Sequence, residues 1–270
     1  MELKTEILET DTLKNILILD TETIGLEKLY MYDLGYIIAT KNEEGFYTPS
    51  VKRQFIIDQV YNNHMLFATS YYAIKRPKYV SLLKGRKARL KKMGHALMIM
   101  KNDIDRLEVE QAWAFNMPFD KKVMAFNGKE FNLTNPIEHL PQMDIMGVAS
   151  SFIHQTKEYN DFCVENKFVN ESGLLQTNAE VTFKFISDQK DFIEEHTALQ
   201  DCEIELDILN YCILKGADLQ KIYKKKYVRA NVVQKFTVII KNADKTESKY
   251  SFNYTKKINS TKRKAIILEK

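Results

Sequence analysis

The stretch Asn15-Ile16-Leu17-Ile18-Leu19 is a short apolar run that ends on a carboxylate, Asp20. Such a run predicts a strand buried on both faces whose end opens to solvent. Leu34–Thr40 and Arg53–Ile57 read as two further strands, and Asn42-Glu43-Glu44-Gly45 supplies a turn between them, so an antiparallel meander is expected. From Tyr79 to Leu107 the spacing becomes helical, broken at Gly85 and Gly94. Gln111–Phe115 is another strand, a helix begins near Pro118, and Met143–Ile153 reads as helix. The best-marked helix follows His196. Thr197 stands as its cap with Gln200 three positions on, the apolar stripe Leu199, Cys202, Leu206, Leu209 and Ile213 steps by three and four, and Lys215-Gly216 closes it. Beyond Tyr227 the runs Phe236–Ile240, Tyr250–Tyr254 and Ala265–Leu268 predict a small β appendage.

Composition narrows the class without changing this outline. With 270 residues, 44% apolar and 28% charged, the chain has enough material for one large α/β domain or a domain plus an appendage, and global disorder is excluded. Three cysteines without a CxxC spacing, Cys163, Cys202 and Cys212, argue for a reducing compartment and against a zinc ribbon. Met1–Lys14 carries four acids and no apolar h-region, and no stretch approaches eighteen uncharged apolar residues. A cytoplasmic protein without a membrane partner is therefore expected.

Charge divides the chain more sharply than its net value of +4. Residues 1–219 hold 25 Lys+Arg against 33 Asp+Glu, a balance of −8, whereas residues 220–270 hold 15 against 3, a balance of +12. A second basic segment lies inside the body: from Gln59 to Asn102 there are ten bases and no acid, with Tyr71, Tyr72 and Tyr79 among the first of them. One such segment alone is most simply a solvated helix face. Two of them flanking acidic residues at element ends point to a polyanion, because neutralised phosphates release counterions and aromatic rings stack on bases.

Those acids form the candidate chemistry. Asp20 and Glu22 stand at i and i+2 at a strand end, so their carboxylates share one side of the sheet. Asn116 caps the helix after the Gln111–Phe115 strand, Pro118 suits its first turn, and Asp120 projects from that turn. A plain complement to the helix dipole would also account for Asp120. Asp201 falls in the first turn of the helix capped by Thr197, roughly 120° from its apolar stripe and directed away from the core, with His196 just before that helix. Four carboxylates favour hard divalent cations over zinc, and two Mg²⁺ or Mn²⁺ ions roughly 4 Å apart could stabilise the attacking and leaving oxygens of phosphodiester hydrolysis. The imidazole, with an ordinary pKa of about 6.5, is the group suited to take a proton from water.

Taken together, Asp20-Thr21-Glu22-Thr23, Asn116-Met117-Pro118-Phe119-Asp120 and His196-Thr197-Ala198-Leu199-Gln200-Asp201 resemble the Exo I, Exo II and Exo III motifs of the DEDDh 3′→5′ exonucleases. This DnaQ-like superfamily includes the proofreading epsilon subunit, ribonuclease T and oligoribonuclease. The segment Gly173–Leu209, with Thr177–Glu180 and Asp191–His196, is most similar to stand-alone DnaQ-like exonucleases of tailed bacteriophages, which would place the protein in the host cytoplasm. The resemblance, over about Ile16–Leu214, implies a ribonuclease H-like α/β fold, a mixed sheet flanked by helices; the chain is accordingly divided into an exonuclease domain at residues 1–228 and a basic appendage at 229–270, a tail without a counterpart in the family. The resemblance also implies Asp20, Glu22, Asp120 and Asp201 as ligands of two Mg²⁺ or Mn²⁺ ions, His196 as general base, and Thr23, Asn116 and Phe119 as contacts to the terminal nucleotide. The implied reaction releases 5′-mononucleotides from a 3′ end, single-stranded DNA being favoured.

Two positions depart from the pattern: Ile24 stands where many relatives have a second Thr, and Phe115 where His is common. An RNA exonuclease, a proofreading subunit held by a DNA polymerase, and a binding module with a vestigial site are the competing readings; none of the four acids is missing, which weighs against the last. Asp144 is read as a helix cap, Trp113 as a strand-core aromatic, and His64, His95, His139 and His154 as structural or surface residues.

Overall fold

The computed structural model describes residues 13–68, 70, 73–241 and 247–257. Three strands open the fold, β1 (Asn15–Thr23), β2 (Met31–Lys41) and β3 (Tyr47–Ile57). They pair antiparallel in sequence order, which is the expected meander. The turn between β2 and β3 is closed by Asn42, whose N–H donates to the Phe46 carbonyl and whose Oδ1 accepts from the Phe46 N–H, with Gly45 at φ +89°. Then come α1 (Asp58–Tyr61), α2 (His64–Phe67), a 3-10 turn at Ala73–Lys75, α3 (Arg76–Lys84), β4 (Arg89–Lys91), α4 (Met93–Arg106), β5 (Gln111–Ala114) and α5 (Met117–Glu130). The body closes with β6 (Gln142–Asp144), α6 (Ile145–Phe152), α7 (Lys157–Glu165), α8 (Ala179–Ser187) and α9 (Ala198–Leu214).

Six strands form one mixed sheet in the order β4-β3-β2-β1-β5-β6. β5 runs parallel to β1, and β6 parallel to β5. The alternation within β1 explains why it lies near the middle: Leu17 and Leu19 enter the core under α4 and α5, while Ile16 and Ile18 enter the core under α6 and α9. All four are fully buried, each contributing about 1.5–3 kcal/mol relative to exposure. Trp113 belongs to the second core, as the strand pattern predicted, and the three cysteines are free and buried.

Several boundaries differ from the sequence reading. Gly94 lies inside α4 rather than breaking it, and the stretch before it contains β4. Likewise β6 occupies the start of the Met143 segment. Both strands have three residues, too few for a period of two to register, and each exists only because a longer neighbour offers its edge. α1, α2, α7 and α8 were not anticipated.

After α9 the chain returns along the body. Arg229 bridges to Leu174, Ala230 is buried, and Asn231 and Asn160 exchange two hydrogen bonds through the backbone of Asn231. It then forms an antiparallel hairpin, β7 (Asn231–Lys241) and β8 (Glu247–Lys257), around the two predicted tail strands. The Ala265–Leu268 run, Tyr71, Tyr72 and the acidic start fall outside the described residues. Among the described residues no helix is long and apolar enough to cross a membrane.

Candidate active site

Because β1, β5 and β6 run parallel, their carboxyl ends lie on one edge of the sheet, the place where open α/β sheets hold ligands. Asp20 and Glu22 stand at the end of β1, half-buried, with the intervening Thr21 buried on the opposite side. Asp120 reaches the same edge from the first turn of α5, and its Oδ1 accepts a 2.7 Å hydrogen bond from Thr21 Oγ1. Asp144, at the end of β6, caps α6 through the Met146 N–H at 3.0 Å, as expected, and accepts the Asn116 N–H at 2.9 Å.

Asn116 holds the cap position of α5 but makes no side-chain cap bond. It turns the chain instead in the left-handed region, φ +72°, which Asn tolerates better than most residues.

α9 delivers the third part of the site. Its first turn lies directly on Gly35 of β2, the register partner of Asp20; a Cβ there would stand 2.2 Å from the Ala198 carbonyl carbon. Only glycine admits the helix so close to the strand. Thr197 occupies the cap position without a side-chain cap bond, contrary to the capping-box reading, and Gln200 reaches back to the Glu195 N–H instead. The cap comes from across the fold: Asp33 Oδ2, opposite Glu22 in the sheet, accepts the Ala198 N–H at 3.1 Å and the Gln54 amide at 2.8 Å. Asp201 does point off the Cys202-Leu206-Leu209 stripe, yet it is buried at 6% exposure rather than open, because that side of α9 faces the acidic sheet edge.

Crowding dominates the electrostatics. Burial and then the Asp201, Asp120, Glu205 and Glu22 carboxylates push Asp20 far above the ordinary carboxylate range. Burial and Asp33 raise Glu22 to about 9, with Lys75 pulling the other way. Burial, Glu194 and Glu22 raise Asp201 to about 10. Asp120 is raised by burial to about 7, moderated by the Thr21 hydrogen bond. His196 moves down, through burial and the Lys75 ammonium, so its imidazole is neutral at neutral pH.

The loop carrying His196 is held from the basic segment. Lys75 Nζ donates to the Glu195 carbonyl at 2.8 Å, Lys78 pairs with the Glu195 carboxylate, and the Tyr79 hydroxyl donates to the His196 carbonyl at 3.4 Å. These contacts keep His196 at φ +48°, an uncommon backbone for a side-chain-bearing residue. Its Nδ1 lies 3.3 Å from Glu194 Oε2.

The donor set fits a divalent cation. Glu22, His196 and Asp201 offer ligand atoms within 4.8 Å of one another, and the buried Asp201 Oδ1 has no hydrogen-bond partner. Mutually repelling buried carboxylates with an open oxygen are what a hard cation neutralises. Asp20 and Asp120 couple electrostatically to this group without belonging to the same tight set.

The three residues expected to contact the nucleotide differ in their surroundings. Thr23 is buried with its hydroxyl donating to the Gly25 carbonyl at 3.1 Å, Asn116 is exposed, and Phe119 packs partly into the first core. Sequence reading missed Asp33, Lys75, Glu194 and Glu205. Glu205 alone left a local trace: an acid one turn beyond Asp201, interrupting the apolar positions of α9. Of the remaining histidines, His64, His95 and His139 are exposed, and His154 is buried against Thr182 Oγ1 at 2.9 Å.

No protein-family profile matches the sequence, and neither does any curated protein. Among solved structures, the chain is similar to the nuclease domain of 3′hExo, a DEDDh family member, bound to rAMP. The TM-score is 0.50 with 13% identity, over 80% of this chain and 99% of that one. The likeness shows the fold: an α/β ribonuclease H-like mixed sheet flanked by helices.

Proposed function

We propose that this protein is a divalent-metal-dependent 3′→5′ exonuclease that favours single-stranded DNA and releases 5′-mononucleotides. The observation that carries the proposal is the meeting of Asp20, Glu22, Asp120, Asp201 and His196 at one sheet edge, from segments as far apart as β1 and α9. The polarity of attack rests on the three motifs and on the fold shared with a DEDDh nuclease domain.

The four carboxylates are the residues to hold two Mg²⁺ or Mn²⁺ ions. Bound there, such ions supply charge stabilisation to the attacking and leaving oxygens of a phosphodiester. The protein does the rest. His196, whose Nδ1 lies 3.3 Å from Glu194 Oε2, is the residue assigned to take the proton from the attacking water through its other ring nitrogen, Nε2. The new bond joins the water oxygen to phosphorus, the bond to the 3′-oxygen of the penultimate nucleotide breaks, and that oxygen takes a proton from solvent to become a new 3′-hydroxyl, while the proton held by His196 is released to solvent. Thr21 holds Asp120 in place, and Asp33 seats the helix that carries Asp201.

Substrate backbone is assigned to the basic surfaces. Lys84, Arg86, Lys87, Arg89 and Lys92 are exposed in the acid-free segment, and residues 229–270 form a basic appendage to the nuclease domain. A ribonucleic substrate is the second reading, favoured by the rAMP bound to the structural neighbour.

The test is digestion of 3′-labelled single-stranded DNA, duplex DNA and RNA with Mg²⁺ or Mn²⁺, with EDTA as control. Asp20→Ala combined with Glu22→Ala should abolish turnover and leave binding largely intact. Undiminished hydrolysis by the double variant rejects the assignment.

A further inference from the structure

We propose that Glu205 is a fifth carboxylate of the cation-holding site, facing it from α9 one turn beyond Asp201. The inference rests on the nuclease reading above and extends it to a residue outside the three sequence motifs.

Glu205 follows Asp201 by four residues, so both lie on the same face of the helix. It is 2% exposed, among the least exposed of the acids in the described residues. Its surroundings on α9 are apolar, Cys202, Leu206 and Leu209, an environment that accepts a carboxylate only if something compensates it. Among the described residues no lysine, arginine or histidine forms an ion pair with it. The charged groups that act on it are other acids, Asp120, Asp201 and Glu194, while a backbone hydrogen bond from Phe115 works in the opposite direction. Glu205 in turn acts on Asp20. It is therefore tied on one side to the turn preceding Asp120, and its Oε2 is buried without a hydrogen-bond partner.

A purely structural buried glutamic acid would be kept neutral and would give its proton to an acceptor. Here the charged groups within electrostatic reach include three of the proposed cation ligands, Asp20, Asp120 and Asp201, beside Glu194, and one carboxylate oxygen is unused. A divalent ion supplies the compensation that no basic side chain provides among the described residues, and the longer side chain of Glu lets α9 contribute two carboxylates, from successive turns, to one edge.

The experiment uses the full-length protein with Mn²⁺ alone, measured by calorimetric titration and by loss of the free-Mn²⁺ electron paramagnetic resonance signal. Melting with and without the ion is recorded in parallel. Glu205→Gln should weaken Mn²⁺ binding about tenfold or more, raise the metal-free melting temperature by relieving like-charge crowding, and shrink the rise on adding Mn²⁺. An unchanged isotherm with a lower metal-free melting temperature overturns the proposal and makes Glu205 a structural acid. If Glu205→Gln does not fold, Glu205→Asp, which keeps the charge and shortens the reach, must still weaken Mn²⁺ binding; wild-type affinity in that variant overturns it equally. A wild-type protein that takes up no Mn²⁺ refutes the nuclease reading itself, whereas uptake by wild type with unaltered variants refutes only the role of Glu205.

Discussion

Asp33→Ala should loosen the active site without touching any proposed metal ligand. Asp33 is fully buried, and its Oδ2 accepts both the first N–H of α9, from Ala198, and the side-chain amide of Gln54. Thr197 gives that helix no side-chain cap, so removing Asp33 strands two buried donors at once. Each costs about 1–3 kcal/mol when left unpaired, and an N-cap deletion costs about 1 kcal/mol in its own right. Relief of repulsion against Glu22, on which Asp33 is the largest charged influence, offsets part of this, leaving a net loss of roughly 2–4 kcal/mol. Asp33→Asn keeps an acceptor oxygen and also removes the repulsion, so it should stay within about 1 kcal/mol of wild type. Urea unfolding in EDTA measures both variants. In Mg²⁺, the Ala variant should lose turnover because Asp201 rides on the freed helix end, and the Asn variant should retain most of it. Equal stability of the two variants would show that the cross-sheet cap does not hold α9.

Gly35→Ala would drive a methyl group into the backbone of Ala198 and Leu199, at 2.2–2.4 Å before relaxation; a loss of at least about 1–3 kcal/mol is expected in thermal melts, together with reduced activity. Without metal, Glu22 and Asp201 keep protons in the folded state that the unfolded chain releases above about pH 4. The folded state then binds more protons, so stability falls as pH rises toward the folded values of about 9 and about 10. Melting temperatures in EDTA should therefore decline from pH 5 to pH 9 and recover with Mg²⁺, and a flat EDTA profile would contradict the crowding described. Deleting residues 232–270, which preserves the contacts of Ala230 and Asn231 with the body, should weaken single-strand binding and flatten its dependence on salt. An unchanged slope assigns the tail another task.

The chain announced much of this architecture locally. An apolar run such as Ile16–Leu19 must be buried on both faces, the charges that follow it must come at its end, and the periodic stretch after His196 must be a helix stopped near Gly216, whose φ is +91°. Hydrophobic spacing reports these features because burial of a strand or helix face is a property of neighbouring residues. What spacing cannot report is which distant groups become neighbours. Asp33 caps a helix 165 residues away, Lys75 and Tyr79 hold the backbone around His196, and Glu205 comes within electrostatic reach of acids from β1 and α5. β4 and β6 exist only as partners of β3 and β5. Sheet register and the close seat of α9 on Gly35 decided all of these, since a hydrogen bond or a Coulomb interaction depends on separation in space, which a linear pattern leaves unspecified until the strands have paired.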